Sequence, residues 1–251
     1  MKFRPFQESE LTALRRSGAV LADALAAVVE AVKPGVDALM LNLIAEEAIR
    51  RRGGTPAFLG YHGYPASLCV SLNDEVVHGI PRQSTILHSG DIVGLDLGVI
   101  VDGMYTDMAR SVGVGEISAP RQKLLDVTRQ SLAAGLRVVK AGIRTGDIGA
   151  AVQGVAEAAG FGVVRDLVGH GVGRAVHDEP SIPNFGRANT GERLPAGICL
   201  AIEPMLTLGD YEVETDDDGW TVRTVDGSAA AHEERTILVT ADGYELLTPV
   251  S

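Results

Sequence analysis

The chain has 251 residues, of which 45% are hydrophobic, so it can bury a sizeable core in one domain over 1–251 or at most two small lobes. Its formal net charge of −11 argues against direct nucleic-acid readout, because phosphates need lysine and arginine for neutralisation. Two cysteines are too few for a disulfide framework, the N-terminus lacks a signal peptide's apolar stretch, and no segment is apolar enough to span a bilayer. We therefore expect a cytoplasmic protein with no membrane partner.

Two helices are predicted before the first strands. Apolar side chains at three- and four-residue spacing indicate a helix over 9–32, which Lys33-Pro34-Gly35 terminates. Asp37 can cap a second helix that runs to about Arg52 and ends at Gly53. Strand-like stretches follow at 67–71, 91–101 and 109–114.

The same order of elements starts again in the second half of the chain. Ser118-Ala119-Pro120 is typical of a helix start, with proline in the first turn, and this third helix is predicted to run to Lys140. Thr145 can cap a fourth helix, which stops near Gly160. Strands are predicted again at 198–208, 220–225 and 235–239.

An offset of 107 residues aligns the two halves without a gap. It relates Lys33 to Lys140, Gly35 to Gly142, Gly53 to Gly160, Gly90 to Gly197 and Asp96 to Glu203. The shared helix order and the carboxylate pair are the decisive matches, because 30 glycines make chance matches easy. We expect an α+β fold in which pseudo-twofold duplicated αα-β halves, about 9–115 and 118–248, place helices over a curved, mainly antiparallel sheet.

Two carboxylates stand inside apolar runs of this predicted sheet. Asp96 lies in the strand-like run 90–100, and Glu203 repeats the pattern within 198–206. An ionised carboxylate in a core costs several kcal/mol unless it is paired or bound to a metal. Either residue alone could pair with a buried arginine or act as a cap, but two at duplicate positions favour a metal site.

Two more carboxylates extend this candidate site. A turn at Asp102-Gly103 would fold Asp107 back beside Asp96 on the next antiparallel strand. By the duplication, Glu234 should lie next to Glu203, although two adjacent glutamates are also typical of a polar strand edge.

His170 is the candidate imidazole. Glycines on both sides of it let the backbone come close to a site, although a core histidine fits equally well. The glycine-rich run 168–173 has no Lys-Ser/Thr pair to complete a P-loop. Four carboxylates and one imidazole suit Mn, Fe, Co or Zn, and two bridging carboxylates can hold two such ions roughly 3.5–4 Å apart.

Five motifs follow one another over about residues 8–249. They are Tyr61-His62-Gly63-Tyr64-Pro65, the run from Ser71 to Pro81, the run from Gly90 to Asp107, Gly169-His170-Gly171-Val172-Gly173-Arg174, and Ile202-Glu203-Pro204-Met205. As an ordered set they resemble methionine aminopeptidase of the short bacterial type, within the pita-bread metallopeptidases of family M24. The resemblance covers nearly the whole chain.

This resemblance implies a ligand set for two divalent metal ions, which could be Co, Mn, Fe, Zn or Ni. Asp107 and Glu234 would bridge both ions. Asp96 would bind one ion, and His170 and Glu203 would bind the other.

The resemblance also implies the reaction, removal of the N-terminal methionine from nascent polypeptides whose second residue is small, by attack of a metal-activated water. His177 would contact the scissile carbonyl and His78 the substrate amide, while Glu203 would take and return the proton. The free α-amine of the substrate would bind one metal. We expect a monomer, and ribosome association stays open.

An apolar pocket should select the methionine side chain. The resemblance implies that it is formed by Tyr61, Tyr64, Cys69, Val176 and Trp220. Aromatic walls and a soft sulfur suit a thioether, although a single tryptophan is more often a core residue.

The chain departs from the family pattern at three places, of which Phe58, where relatives can carry cysteine, should matter little to the mechanism. Val176 stands where an aromatic residue is common, which predicts a wider pocket. The usual Gln-aromatic-Glu-His reads His232-Glu233-Glu234-Arg235, which changes the neighbours of Glu234 but not Glu234 itself.

Two other functions compete with this interpretation. A proline-specific relative would share the metal centre, but we expect no N-terminal domain of the prolidase kind, and the Tyr61 and Trp220 pocket does not suit it. An inactive binding protein on the same fold is expected to lose ligands, whereas all five are present.

The inferred specificity predicts the fate of the chain's own N-terminus. Lys2 is too bulky for a site that accepts only small second residues, so Met1 should be retained. The intact mass of the purified protein measures this, and a chain that begins at Lys2 would contradict the small-residue rule.

Overall fold

The computed structural model describes residues 3–249, which contain four α-helices, a one-turn 3-10 helix at Tyr61–Gly63 and fifteen strands. Met1, Lys2, Val250 and Ser251 lie outside this range, so the predictions for Met1 and for the outer bounds of a 1–251 domain fall outside the described residues. The helices are α1 (Glu8–Ala31), α2 (Ala38–Arg51), α3 (Ala119–Arg137) and α4 (Thr145–Ala158).

The strands all pair antiparallel, and most have five residues or fewer. In chain order they are β1 (Thr55–Pro56), β2 (Leu68–Leu72), β3 (Glu75–Val77), β4 (Ile92–Val101), β5 (Met104–Gly113), β6 (Gly162–Val163), β7 (Gly169–Gly171), β8 (Asp178–Ile182), β9 (Cys199–Ile202), β10 (Met205–Thr207), β11 (Val213–Thr215), β12 (Val222–Thr224), β13 (Ala230–His232), β14 (Arg235–Val239) and β15 (Tyr244–Leu246).

These strands form four sheets. Their orders are β1-β4-β2 with β5 on β4, β13-β10-β6, β11-β12-β3, and β15-β14-β9-β7-β8. Helices packed on antiparallel sheets are the α+β architecture that the sequence predicts. Within residues 3–249, none of the helices has the length and apolar character needed to cross a membrane.

The first helix pair lies where the sequence predicts, within one residue at each end. Asp37 caps α2, because its carboxylate accepts a hydrogen bond from the Met40 backbone N–H at 2.9 Å. Leu21 and Leu25 of α1 are buried with α2 against β2 and β4. Burial of such an apolar face supplies most of a helix's stability.

The second helix pair differs from the prediction at two ends. α3 ends at Arg137 rather than Lys140, because the Val139 N–H bonds the Leu136 carbonyl and closes the helix with a tighter turn. Thr145 is the first residue of α4 and not its cap. Arg144 takes the cap position, where its N–H donates to the Asp147 carboxylate at 2.8 Å.

The β4–β5 hairpin is longer than predicted. Its two-residue turn, Asp102-Gly103, has φ of 49° and 78°, the pair of positive values that a type I′ turn requires. Val101 therefore pairs directly with Met104, and β5 begins there rather than at residue 109.

Two predicted strands are shorter in the structure. The run 198–208 divides into β9 and β10 at Glu203-Pro204, because proline has no N–H for the ladder. The run 220–225 keeps only β12, since the Asp218 carboxylate accepts hydrogen bonds from the Trp220 and Thr221 N–H groups at 2.9 Å each and holds them in a turn.

The offset of 107 residues recurs in the structure. α2 and α4 begin and end at positions related by it. The Gly35 N–H donates to the Leu87 carbonyl at 2.8 Å, and the Gly142 N–H donates to the Leu194 carbonyl at 2.8 Å. Both glycines have positive φ, 90° and 93°, which favours glycine. The structure therefore repeats the offset in the second helix of each half and in the hydrogen bond that precedes it.

The two halves meet where β5 lies beside β14. The Thr236 hydroxyl accepts a hydrogen bond from the Asp107 N–H at 2.9 Å and donates to the Asp107 carbonyl at 2.7 Å. The Glu234 N–H donates to the Ala109 carbonyl at 3.0 Å. This junction brings acidic residues of both halves to the same point.

Candidate metal centre

Two acidic side chains lie on one face of the β4–β5 hairpin. Asp96 pairs with Ala109, and Asp107 pairs with Gly98, so the two aspartates are diagonal neighbours. The turn at Asp102-Gly103 thus places Asp107 beside Asp96, as the sequence predicts.

The second half supplies the imidazole and two further carboxylates. His170 lies on β7, which pairs with β9. Arg235 pairs with Ile202 across β14 and β9. Glu203 and Glu234 each stand one residue beyond that pair, which sets them opposite each other at the end of the ladder.

The five side chains converge. One donor atom each from Asp107, His170 and Glu234 lie within 4.8 Å of one another, and all three residues are buried. Glu203 Oε1 lies 3.3 Å from His170 Nε2. Asp96 interacts directly with the Asp107 carboxyl group. The structure therefore gathers all five predicted ligand residues in one place.

Cationic side chains do not neutralise this cluster. Among the described residues, Asp96, Asp107 and Glu234 form no ion pair with lysine or arginine. Asp96 Oδ1 and Glu234 Oε1 are buried without a hydrogen-bond partner in residues 3–249. Burying such oxygens costs free energy unless a cation binds them. Carboxylates together with an imidazole are donors that borderline divalent cations prefer. The residues present fit a metal ion.

Burial raises the pKa of all four carboxyl groups. The pKa of Asp96 rises to about 6 and that of Glu203 to about 7, mainly through burial. The pKa values of Asp107 and Glu234 rise well above their usual range, because neighbouring carboxylates add to the effect of burial. Like charges this close cannot all ionise without a cation, so a metal ion that binds here would displace protons.

Two further histidines line the same cavity, His78 and His177. His177 Nδ1 lies 2.9 Å from the Tyr61 hydroxyl oxygen, and its ring meets that of His170 edge-on with centroids 4.4 Å apart. Burial lowers the pKa of both histidines, that of His78 to about 4. Both imidazoles are therefore neutral near pH 7.

An apolar wall stands beside the cluster. Tyr64 meets Trp220 edge-on with ring centroids 5.1 Å apart, and its hydroxyl donates to the Gly79 carbonyl at 2.9 Å. Burial raises the pKa of the Cys69 thiol, so this sulfur is uncharged and soft. The cavity is lined by Phe58, Tyr61, Tyr64, Cys69, His78, Asp96, Asp107, His170, His177, Glu203, Trp220 and Glu234.

The wall differs from the predicted set at two residues. Val176 is buried in the same apolar cluster as Tyr64 and Cys69, but it is not among the residues that line the cavity. Its side chain packs against these wall residues without lining the cavity. Phe58 lines the cavity and was not in the predicted set, because its departure from the family pattern was expected to matter little.

Comparisons with known proteins agree with this geometry. The model of metallopeptidase family M24 matches residues 12–241. The chain belongs to this family. A methionine aminopeptidase from Clostridium perfringens is 47% identical over 241 residues, which cover 96% of each chain. The crystal structure of a methionine aminopeptidase from Thermotoga maritima superimposes with a TM-score of 0.96 at 43% identity and covers 98% of both chains.

The M24 fold is also found in prolidase. The prolidase from Pyrococcus furiosus superimposes with a TM-score of 0.80 at 18% identity, over 98% of this chain and 66% of the prolidase. At that identity the likeness concerns the fold alone. The predicted pita-bread fold and membership of M24 are confirmed.

His232, which lies beside the acidic cluster, was not predicted as a site residue. It is 3% exposed, and its Nε2 lies 3.5 Å from Glu203 Oε2. Its signal in the sequence was the departure from the Gln-aromatic-Glu-His pattern. The next residue, Glu233, is 1% exposed and lies 3.5 Å from the buried Arg235 guanidinium, so the strand-edge alternative for this glutamate pair is wrong.

Proposed function

We propose that this chain is a methionine aminopeptidase, a hydrolase that removes the N-terminal methionine of peptides and nascent proteins whose second residue is small. The observation that carries the proposal is that one cavity is lined on one side by the acidic cluster and on the other by an aromatic, sulfur-containing wall. The identity to methionine aminopeptidases over nearly the whole chain supports the same activity.

Two divalent ions would be held by Asp96, Asp107, His170, Glu203 and Glu234, of which Asp107, His170 and Glu234 place one donor atom each within 4.8 Å of one another. The 3.3 Å between His170 Nε2 and Glu203 Oε1 supports this, because it sets an imidazole nitrogen and a carboxylate oxygen side by side. Such ions activate a water molecule near neutral pH and polarise a peptide carbonyl. Mn, Fe, Co, Zn and Ni all suit this donor set.

Glu203 is the proposed proton carrier. Burial raises its pKa to about 7 in the metal-free site, so this carboxyl group takes up a proton there more readily than an exposed glutamate does. It would accept a proton from the attacking water and return it to the amine that leaves. His78, which lines the cavity as a neutral imidazole, would bind the substrate amide.

Tyr61 would determine which ring nitrogen of His177 carries the proton in this mechanism. Burial, reinforced by Asp107, raises the pKa of the Tyr61 phenol, so it keeps its proton and can donate to His177 Nδ1 at 2.9 Å. A neutral imidazole that accepts at Nδ1 carries its own proton on Nε2. Nε2–H is then a donor for the carbonyl oxygen of the substrate as negative charge develops on it.

Replacing Tyr61 with phenylalanine is expected to lower kcat about 10- to 100-fold, because the aromatic wall remains but the hydrogen bond to His177 is lost. KM and metal affinity should change little. Steady-state kinetics with Met-Ala peptides measures this. Tyr244→Phe, at a half-exposed tyrosine of β15, is the matched control, and equal rates for the two variants would contradict the role of Tyr61.

Two parts of the cavity would determine substrate specificity, the apolar wall and the acidic cluster. The methionine thioether would lie against Tyr61, Tyr64, Cys69 and Trp220, with Val176 behind them. The α-amine would be held at the acidic cluster, which restricts cleavage to the first residue. We infer one catalytic domain that acts as a cytoplasmic monomer on nascent chains, with ribosome contact as a further property to test.

Turnover of matched peptides tests the proposal. Protein reconstituted separately with Mn²⁺, Fe²⁺, Co²⁺, Zn²⁺ and Ni²⁺ under anaerobic conditions is given Met-Ala-Ser, Met-Lys-Ser and Ala-Pro-Ser. We expect release of methionine from Met-Ala-Ser only. Release of alanine from Ala-Pro-Ser would instead indicate a proline-specific enzyme, and no turnover together with no metal binding would indicate an inactive binding protein.

A further inference from the structure

His232 is held rigidly next to the metal-binding cluster. It lies on β13, where it pairs with Met205 of β10. Its backbone N–H donates to the Ser111 hydroxyl at 2.8 Å, and that hydroxyl donates to the His232 carbonyl at 2.9 Å. The Glu233 N–H also donates to the Pro204 carbonyl at 3.2 Å. The residues next to His232 and Glu203 are therefore hydrogen-bonded to each other.

The imidazole of His232 points at the carboxylate of Glu203. Its Nε2 is fully buried and has no hydrogen-bond partner among residues 3–249. It lies 3.5 Å from Glu203 Oε2, while His170 Nε2 lies 3.3 Å from Oε1 of the same carboxylate. Two imidazoles therefore bracket Glu203, one at each oxygen.

The chemistry of the two groups decides which of them donates. A metal-bound Glu203 is an ionised carboxylate whose oxygens only accept hydrogen bonds, so Nε2 of His232 must carry the proton for the two side chains to bond. The imidazole Nε2 of His232 is buried and has no other partner among the described residues, so this contact is the one open to its proton. The distance of 3.5 Å is at the outer limit of a hydrogen bond, and a small rotation of the Glu203 carboxylate completes the contact.

We propose that His232 is a positioning residue, whose Nε2–H donates to Glu203 Oε2 and holds that carboxylate in the orientation that metal binding requires. This rests on the proposed function, because it assigns Glu203 to the metal centre. The hydrogen bond leaves Oε1 free for a cation shared with His170. Partners of this kind outside the ligand set typically change metal affinity about 10- to 100-fold.

Calorimetric titration of the metal-free, full-length protein with Mn²⁺ tests the proposal. For His232→Leu we expect Kd to rise about 10- to 100-fold. His232→Gln, which keeps an N–H donor at similar reach, should stay within about threefold of the wild type, whereas the shorter amide of His232→Asn should not. His88→Leu is the matched control, because the His88 side chain is 75% exposed and lies outside the cavity.

Each outcome has a distinct meaning. A His232→Leu protein with the wild-type Kd, or a His232→Gln protein as weak as His232→Asn, would overturn the positioning role alone. Wild-type protein that binds no Mn²⁺ would overturn the metal centre, and the role of His232 with it. If His232→Leu does not fold, the comparison of the glutamine and asparagine variants decides.

Discussion

Asp107→Asn is expected to abolish metal binding and to lower the rate of Met-Ala-Ser hydrolysis by more than about a thousandfold, well beyond the loss typical of an outer-shell partner. Asp107 lies at the junction of both halves, and its donor atom is within 4.8 Å of those of His170 and Glu234. The variant should fold, because both bonds to Thr236 come from the backbone of residue 107 and an amide oxygen can still accept from the Met108 N–H.

The same substitution should have an opposite effect on the metal-free protein. The wild-type Asp107 carboxyl group must take up a proton to be buried beside Glu234 and Asp96, whereas an amide is neutral without that cost, so Tm without metal should rise above that of the wild type. Wild-type protein should gain about 2.7 kcal/mol at a metal concentration about one hundred times Kd, and the variant should gain nothing. Calorimetry and thermal unfolding with Mn²⁺ measure both.

The control for Asp107→Asn is Asp23→Asn, at an exposed pair with Arg52 on the surface of α1 and α2. Exposed ion pairs contribute little, so rate, Kd and Tm should remain near those of the wild type. Wild-type Mn²⁺ affinity in Asp107→Asn would show that the cluster is not the metal site.

Metal-free protein is expected to lose stability as pH rises from 7 to 9. The pKa values of Asp107 and Glu234 are raised well above their ordinary range, and that of Glu203 to about 7, so the folded state keeps protons that the unfolded chain has already released near pH 4. While the folded state holds more protons than the unfolded chain, the free energy of unfolding falls as pH rises, by up to about 1.4 kcal/mol per pH unit for each extra proton.

The pH window matters because buried histidines act in the opposite direction. The pKa values of His78 and His232 are lowered to about 4, so their contribution is lost as pH falls below about 6.5 and is constant above it. Of these two kinds of group, only the carboxyl groups with a raised pKa change stability above pH 7, and they lower it as pH rises. Saturating Mn²⁺ should reverse the trend, because cations compete with protons and bind more tightly as pH rises.

Thermal unfolding at pH 7, 8 and 9, with chelator or with Mn²⁺, measures this dependence. Asp107→Asn is the control, since it removes one of the raised groups and should flatten the slope without metal. A metal-free wild type that becomes more stable between pH 7 and 9 would mean that these carboxylates are already ionised and stably paired.

Much of the site could be predicted because local chemistry determines it. A two-residue turn at Asp102-Gly103 fixes the register that brings Asp107 beside Asp96. The offset of 107 residues relates Asp96 to Glu203. The structure shows the same offset between α2 and α4 and between the hydrogen bonds that flank them. Carboxylates in apolar runs are detectable because their burial is costly.

Other features could not be predicted because they depend on distant partners. β3 and β13 have three residues each, too few for a hydrophobic period, and they exist through pairing with β12 and β10. Val176 and Phe58 differ in whether they reach the cavity, which depends on side-chain direction. The break at Glu203-Pro204 has a local cause, and proline alone predicts it.

The most direct test of the buried carboxylate site is a crystal structure grown with excess Mn²⁺ and measured at a wavelength with strong manganese anomalous scattering. We expect two anomalous peaks in the cavity, both in contact with Asp107 and Glu234, with His170 and Glu203 at one and Asp96 at the other. The absence of anomalous density at these residues, or carboxylates that have turned away to pair with arginine, would contradict the metal centre and the aminopeptidase activity derived from it.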